Sequence, residues 1–318
     1  MIILRMLLGR VLSLVPLVLG VTLFVFIVMR FSPVDPAVAA LGDTNPTDAQ
    51  LEQFRRDNGL LDPWPIQYGR FVWQLLHGDF GVSVITKQSV GDTIATALPL
   101  TVQLTLMGLV IAIVLGLLFG ITSALYRDRW PDQLIRVVSL AGIAAPAFWI
   151  ALLLVQWLAV GEGLFPTSGY ISPQDSFSGW LNSMTLPAIA LAGPVTAQLT
   201  RIIRTSMVEE LDRDYVRTAR GGGLSPVVVV GRNVLRNALV TPLTVLGLRV
   251  GYLLGGAVVI ETMFALPGMG QNMIQAVTDG DTSKVQGFVI TIALIFVLVN
   301  LIVDILYVIA NPRLRSHS

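Results

Sequence analysis

The sequence predicts an all-α polytopic membrane protein, and three observations carry that prediction. The 318 residues are 54% hydrophobic and only 13% charged, with a mean hydropathy of +0.74. A soluble domain holds roughly 25% charged residues, so this chain cannot cover a water-facing surface of its size. Six windows also hold about 20 mostly apolar residues, the length an α-helix needs to cross a bilayer. The net charge of +1 argues against a nucleic-acid partner, which asks for a basic face. With no cysteine, and only His77 and His317 as histidines, thiolate sites and histidine clusters fall away, so neither a catalytic residue nor a metal ligand set is expected.

The windows run 8–29, 98–125, 134–160, 185–203, 242–264 and 287–310. In the first, the apolar run from Leu12 to Met29 exceeds the roughly 7–15 residues of a signal h-region. It therefore reads as a retained anchor despite the cleavage-like Ala37-Val38-Ala39. The fourth is the weakest, interrupted by Pro187, Gly193, Pro194 and Gln198. Arginines set the orientation. With the N-terminus inside, the cytoplasmic side receives Arg5, Arg10, Arg127, Arg129, Arg136, seven arginines between Arg201 and Arg236, Arg313 and Arg315, whereas the loop 161–184 has neither Lys nor Arg. The positive-inside rule then places both termini in the cytoplasm.

The external stretch 32–97 reads as two helices. Thr47 and Gln50 form a capping box, and Asn58-Gly59 a stop. The second starts at Trp64-Pro65 and carries Trp64, Tyr68, Phe71, Val72, Leu75 and Leu76 on one face. That face suits either the membrane interface or packing on other helices. The loop 161–184 reads as irregular. The cytoplasmic segment, about 205–240, is too long for a simple connection. Ser206 and Glu209 suggest a capping box, Glu209, Glu210, Asp212 and Asp214 precede Arg213, Arg217 and Arg220, and Gly221-Gly222-Gly223 marks a hinge. Ser225 and Pro226 then open another helix. A helical, charged loop of this length suits docking.

Asp214-Tyr215-Val216-Arg217-Thr218-Ala219-Arg220, then Gly223-Leu224-Ser225 and Leu235-Arg236-Asn237-Ala238-Leu239, resemble the EAA loop of ABC-importer permeases of the peptide/nickel family, dipeptide or oligopeptide B-type subunits. The resemblance continues in Gly78-Asp79-Phe80-Gly81-Val82-Ser83, in the stretch from Glu261 to Gly270, in Asn300 to Asp304 with Tyr307, and in Pro312-Arg313. The chain departs from the family in having Gly221-Gly222-Gly223 for Ala-Lys-Gly, Asn311 for Asp, and Asp281-Thr282-Ser283 for Asp-Tyr-Pro.

The resemblance implies a type I importer permease fold in a bacterial cell membrane. It implies an N-terminal helix and long periplasmic loop over 1–97 and a core permease domain over 98–318. It also implies that Asp214, Tyr215, Arg217, Thr218, Ala219, Arg220, Gly223 and Leu224 couple to an ATPase. The implied partners are a homologous second permease, two ATP-binding subunits that hold ATP and Mg, an extracytoplasmic peptide-binding protein, and a peptide substrate. No cofactor is expected in this subunit. Its two lysines, Lys87 and Lys284, follow Thr86 and Ser283, so no P-loop lysine follows a glycine.

Arg249, Glu261, Asn300, Asp304 and Gln198 fall within or near the apolar windows and should face protein or water. Arg249 and Asp304 lie at similar depth, so they read as a structural pair or as substrate contacts. Glu261 could bind a peptide amine or hold the turn at Leu266-Pro267-Gly268; Asn300 and Gln198 suit hydrogen bonds between helices. A nickel or other small-solute importer, an ion-coupled secondary transporter and an intramembrane enzyme are the competing classes. The topology is directly testable. A Ser172→Cys variant should be labelled in intact cells and Ser225→Cys only after permeabilisation; labelling of the latter in intact cells would reverse the orientation.

Overall fold

The computed structural model describes residues 2–31, 35–41, 46–83 and 85–310, with the side chains at 2–14, 39, 248 and 303–310 excepted. Arg5, Arg10, Asp304, Tyr307, Pro312, Arg313, Arg315 and His317 thus fall outside the described side chains. The described residues are helical apart from turns, loops and one isolated bridge, Val82 to Ser89. They form two compact units, Met1–Thr101 with Pro267–Leu298, and Val102–Leu266 with Val299–Ser318.

The first unit holds α1 (Ile2–Arg30), α2 (Pro36–Leu41), α3 (Asp48–Asp57), α4 (Trp64–Leu76), the start of α5 (Val90–Leu125), α13 (Met269–Asp279) and most of α14 (Thr282–Ala310). The predicted capping box forms: Gln50 N–H donates to Thr47 Oγ1, and Thr47 N–H to Gln50 Oε1. Gly59, at φ +63°, then turns the chain. The packing reading of α4 holds for Tyr68 and Phe71. Tyr68 donates to the Leu19 carbonyl of α1, and Phe26 packs on Tyr68 and Phe71 with ring centroids 5.6 and 6.1 Å away. Trp73 and Leu76 stay exposed.

Val90, Ile94, Ala97, Met269 and Phe288 form this unit's apolar core. Beside it, buried Ser83 donates to buried Asp281, which also caps α14 through Lys284 N–H. Asp281 therefore fastens the Gly78–Ser83 loop.

The second unit is organised by α8 (Phe177–Leu211). Around it lie the rest of α5, α6 (Trp130–Ala144), α7 (Ala147–Leu154, continued as a π-helix over Val155–Gly161) and α12 (Val240–Met263). One expectation is exceeded here and one fails. The window expected to be weakest is a continuous 35-residue helix through Pro187 and Pro194. Its small residues, Ala188, Ala190, Ala192 and Ala197, are all buried, which lets neighbours come close enough to support the proline sites. Conversely, the window 134–160 is not one straight span, because α6 and α7 meet at 110° across Ala145-Pro146. Pro146 lacks an N–H to donate and disfavours helical backbone at Ala145.

Close approach of α5 and α8 follows from a stripe of small residues four apart: Gly108, Ala112, Gly116, Gly120 and Ala124. A methyl built on Gly116 would lie 2.9 Å from Leu199 Cβ, and one on Gly120 would lie 2.7 Å from Ile203 Cβ. Small residues at this spacing let membrane helices touch backbone to backbone.

One ion pair fixes the far end of α8. Asp132, in the first turn of α6, is wholly buried. It accepts two hydrogen bonds from Arg204, at Nε 2.6 Å and Nη2 2.7 Å. Ser123 Oγ and Asp128 N–H donate to the same carboxylate. This bidentate, fully hydrogen-bonded geometry is what a buried pair needs to offset its desolvation.

Two stability tests follow. Gly120→Leu should lower the yield of folded protein and the melting temperature, since overpacking costs about 1–3 kcal/mol. Gly255→Ala, where an added methyl meets nothing within 4 Å, should leave both unchanged. Asp132→Asn should cost about 3–5 kcal/mol, the usual loss when one partner of a buried pair is removed. An unchanged melting temperature in Asp132→Asn would deny the pair its role.

Candidate functional site

The segment after α8 builds a small exposed platform. α8 ends at Leu211, not before Ser206, which lies inside the helix and cannot be the expected cap. The chain breaks at Asp212-Arg213, and α9 (Asp214–Gly221) begins at once. Val216 is fully buried and anchors α9, which packs on the π-helical segment Val229–Val234. Asp214, Tyr215, Arg217, Thr218, Arg220, Gly223 and Leu224 are exposed, and Ala219 is half-buried. The structure therefore gathers all eight loop residues on one short helix and its C-terminal turn.

Local bonds fix that platform. Tyr215 Oη donates to Glu210 Oε2 at 2.7 Å and accepts from Asn237 Nδ2 at 3.3 Å. Partial burial and the bond to Glu210 hold its phenol protonated above the ordinary range. Arg127 pairs with Asp212 at 2.9 Å, next to the Asp132–Arg204 lock. Thr218 Oγ1 donates back to the Asp214 carbonyl at 3.1 Å.

The glycine triplet is a helix stop and not a free hinge. Leu224 N–H reaches the Ala219 carbonyl and Gly223 N–H the Arg220 carbonyl, the two bonds of a Schellman cap. Gly223 takes φ +81°, which is why that position holds a glycine, while Gly221 is still helical. Ser225 then begins α10 (Pro226–Val228), leading through the π-helical segment to α11 (Leu235–Ala238). The expected Ser225–Pro226 start is present, but Ser225 makes no side-chain cap bond. Leu224 and Val227, the latter 81% exposed, add an apolar edge beside α9.

A second feature is a cleft of about 440 Å³ lined by α6, α8 and α12 residues, among them Gln198, Arg201, Glu209 and Arg249. Among the described residues, Gln198 Oε1 and Arg249 Nε are buried there with no hydrogen-bond partner, so none of those residues makes the interhelical bond expected of Gln198 at that atom. The Arg249–Asp304 pair lies outside the described residues at Asp304. Glu261 is fully buried in α12. Its backbone carbonyl accepts from Leu266 N–H at 2.8 Å, closing a turn that puts Ala265 at φ +50°. Asn300 is half-buried in α14.

Sequence reading missed Asp132, Arg204 and the glycine stripe. Asp132 follows Trp130-Pro131 at a helix start, a signal for a first-turn acid but not for its partner 72 residues on.

The comparisons agree with this architecture. The family model described as "Binding-protein-dependent transport system inner membrane component" matches residues 112–316. Its N-terminal companion, "Binding-prot-dependent transport system membrane comp, N-term", matches residues 3–105. The chain is 41% identical over 310 residues to a peptide transport system permease protein of Brucella abortus (strain 2308), covering 98% of each. It is 37% identical over 307 residues to the glutathione transport system permease protein of Escherichia coli (strain K12), covering 96% of this chain and 97% of that one. A crystal structure of an amino acid ABC transporter with histidines shares the fold at a TM-score of 0.50 and 19% identity, over 70% of this chain and 94% of that one. With family models and full-length relatives in agreement, the chain belongs to the binding-protein-dependent inner membrane components, as a multi-pass ABC importer permease of the peptide family.

Proposed function

We propose that this permease forms half of the pathway of an ATP-driven importer of dipeptides or oligopeptides and couples ATP hydrolysis by partner subunits to uptake. The observation that carries the reading is the α9 platform: seven exposed loop residues held by a buried Val216 at the end of a 35-residue helix. At about 1.5 Å per residue α8 is about 52 Å long, against a hydrocarbon core of about 30 Å. It therefore crosses the membrane and protrudes, and a push on α9 reaches the bundle through a rigid rod with a break of only two residues. That is a physical route for rigid-body alternating access.

The complex comprises a homologous second permease, two ATP-binding subunits carrying ATP and Mg, and an extracytoplasmic peptide-binding protein, with both termini of this chain and the α9 loop in the cytoplasm of a bacterial inner membrane. This subunit does not hydrolyse ATP. The names of the relatives support a peptide cargo, and the lack of cysteine with the scarcity of histidine weighs against nickel.

The test is ATPase activity of the reconstituted complex with and without binding protein. Ala219→Glu puts a charge at the half-buried junction of α9 and its cap; it should insert and assemble normally but lose most of the stimulation. Gly221→Ala with Gly222→Lys should keep it, since neither position needs a positive φ. Full stimulation in Ala219→Glu would make the loop a passive connector. Gly223 is a poor test site, because any side chain there strains the turn.

A further inference from the structure

The cleft between α6, α8 and α12 presents a chemical pattern that the coupling role does not use. Its size falls within the roughly 300–1,000 Å³ of ligand pockets. Gln198, Arg201, Ile202, Thr205 and Glu209 recur at intervals of three and four along α8, so they line one face. Arg249 enters from α12. Gly256 of α12 lies against Leu191 of α8, which puts Arg249 level with Gln198. At that end, among the described residues, Gln198 Oε1 is an acceptor without a donor and Arg249 Nε a cationic donor without an acceptor, with Arg201 next along the same face. At the other end lies the carboxylate of Glu209.

Polar atoms left buried and unpaired are costly, so the pair is expensive unless something else satisfies it. The complementary ligand needs a carboxylate for Arg249 and Arg201, an N–H for Gln198 beside that carboxylate, and a cation for Glu209. A free peptide in extended form carries this set. Arg201 and Glu209 are eight positions apart, about 12 Å along the helix, the reach of three to four extended residues. Ile143 and Ile202 line the same cleft and offer apolar contact to side chains.

Resting on the peptide-importer reading above, we propose that this cleft is a peptide subsite within the permease, in which Arg249 and Arg201 hold the C-terminal carboxylate, Gln198 accepts the last amide N–H, and Glu209 faces the N-terminal ammonium. The binding protein is then not the sole selector: the permease itself distinguishes a free peptide from one with blocked ends.

The probe is radiolabelled trialanine, with its C-terminal amide and its N-acetyl derivative as competitors. Equilibrium binding is measured on the assembled importer in nanodiscs, without binding protein. Trialanine should bind, and each blocked derivative should compete at least about tenfold more weakly, as expected for the loss of a charge-assisted bond. Arg249→Gln should abolish the preference for acid over amide while leaving the preference against N-acetylation; Glu209→Gln should do the reverse. Gln198→Leu removes the orphan acceptor, so it should raise the melting temperature of the complex yet weaken trialanine binding, a combination that a structural role would not give. Equal competition by the amide, unchanged preferences in the variants, or no trialanine binding by a complex that imports peptide would overturn the subsite. So would restoration of wild-type stability when Asp304→Asn is added to Arg249→Gln, since Arg249 would then belong to Asp304. A complex that imports no peptide even with its binding protein would instead remove the reading on which the proposal rests.

Discussion

The buried Asp132 carboxylate is the constraint on which the second unit depends. It has no exposed surface, and Arg204, Ser123 and Asp128 N–H supply four donors to its two oxygens. A carboxylate left bare in such a place would cost several kcal/mol, so the chain is stable only when all these groups converge. They come from the end of α5, the 126–129 turn, the start of α6 and the last turns of α8. Their convergence fixes where α8 leaves the bundle, and hence where α9 is presented.

Close packing by its neighbours keeps α8 at the centre of that unit. The glycine stripe lets α5 lie against Leu191, Leu199 and Ile203. Ala197 meets Gly142 of α6, and Gly193 meets Ile150 of α7. In a membrane, where apolar burial adds little between helices, such close packing supplies most of the association. The rod is thus stiff for the reason it looked weak: its alanines, glycine and prolines are the contact surface.

The parts legible in the sequence were those set by local physics. Thr47 and Gln50 had to cap a helix, Pro226 had to open one, and the apolar windows had to be helical. The motif around Asp214–Leu224 identified the family because its residues recur as a set. What escaped was set by contacts across the chain. A one-sequence reading could see that Pro187 and Pro194 break a pattern, but not that four neighbours compensate them, nor that Pro146 in a seamless apolar run does produce a sharp bend. Ser206 resembled a cap because its spacing to Glu209 was right, whereas α8 simply continued through it. The glycine triplet looked loose until Gly223 was seen closing a Schellman turn. Gln198 and Arg249 were marked for their polarity, but only the structure shows them sharing a cleft.

The central claim is that α9 is the surface on which an ATP-binding subunit rests. The absence of cysteine from this chain allows the permease to be labelled at one chosen position before assembly: a Thr218→Cys variant carrying a photoactivatable benzophenone, then illuminated in the assembled importer. Thr218 is exposed on α9, and the account predicts one major adduct, of the permease with an ATP-binding subunit, that the same probe at Ser172→Cys does not give. An adduct from Ser172 with that subunit, or none from Thr218 in a complex that hydrolyses ATP, would contradict it.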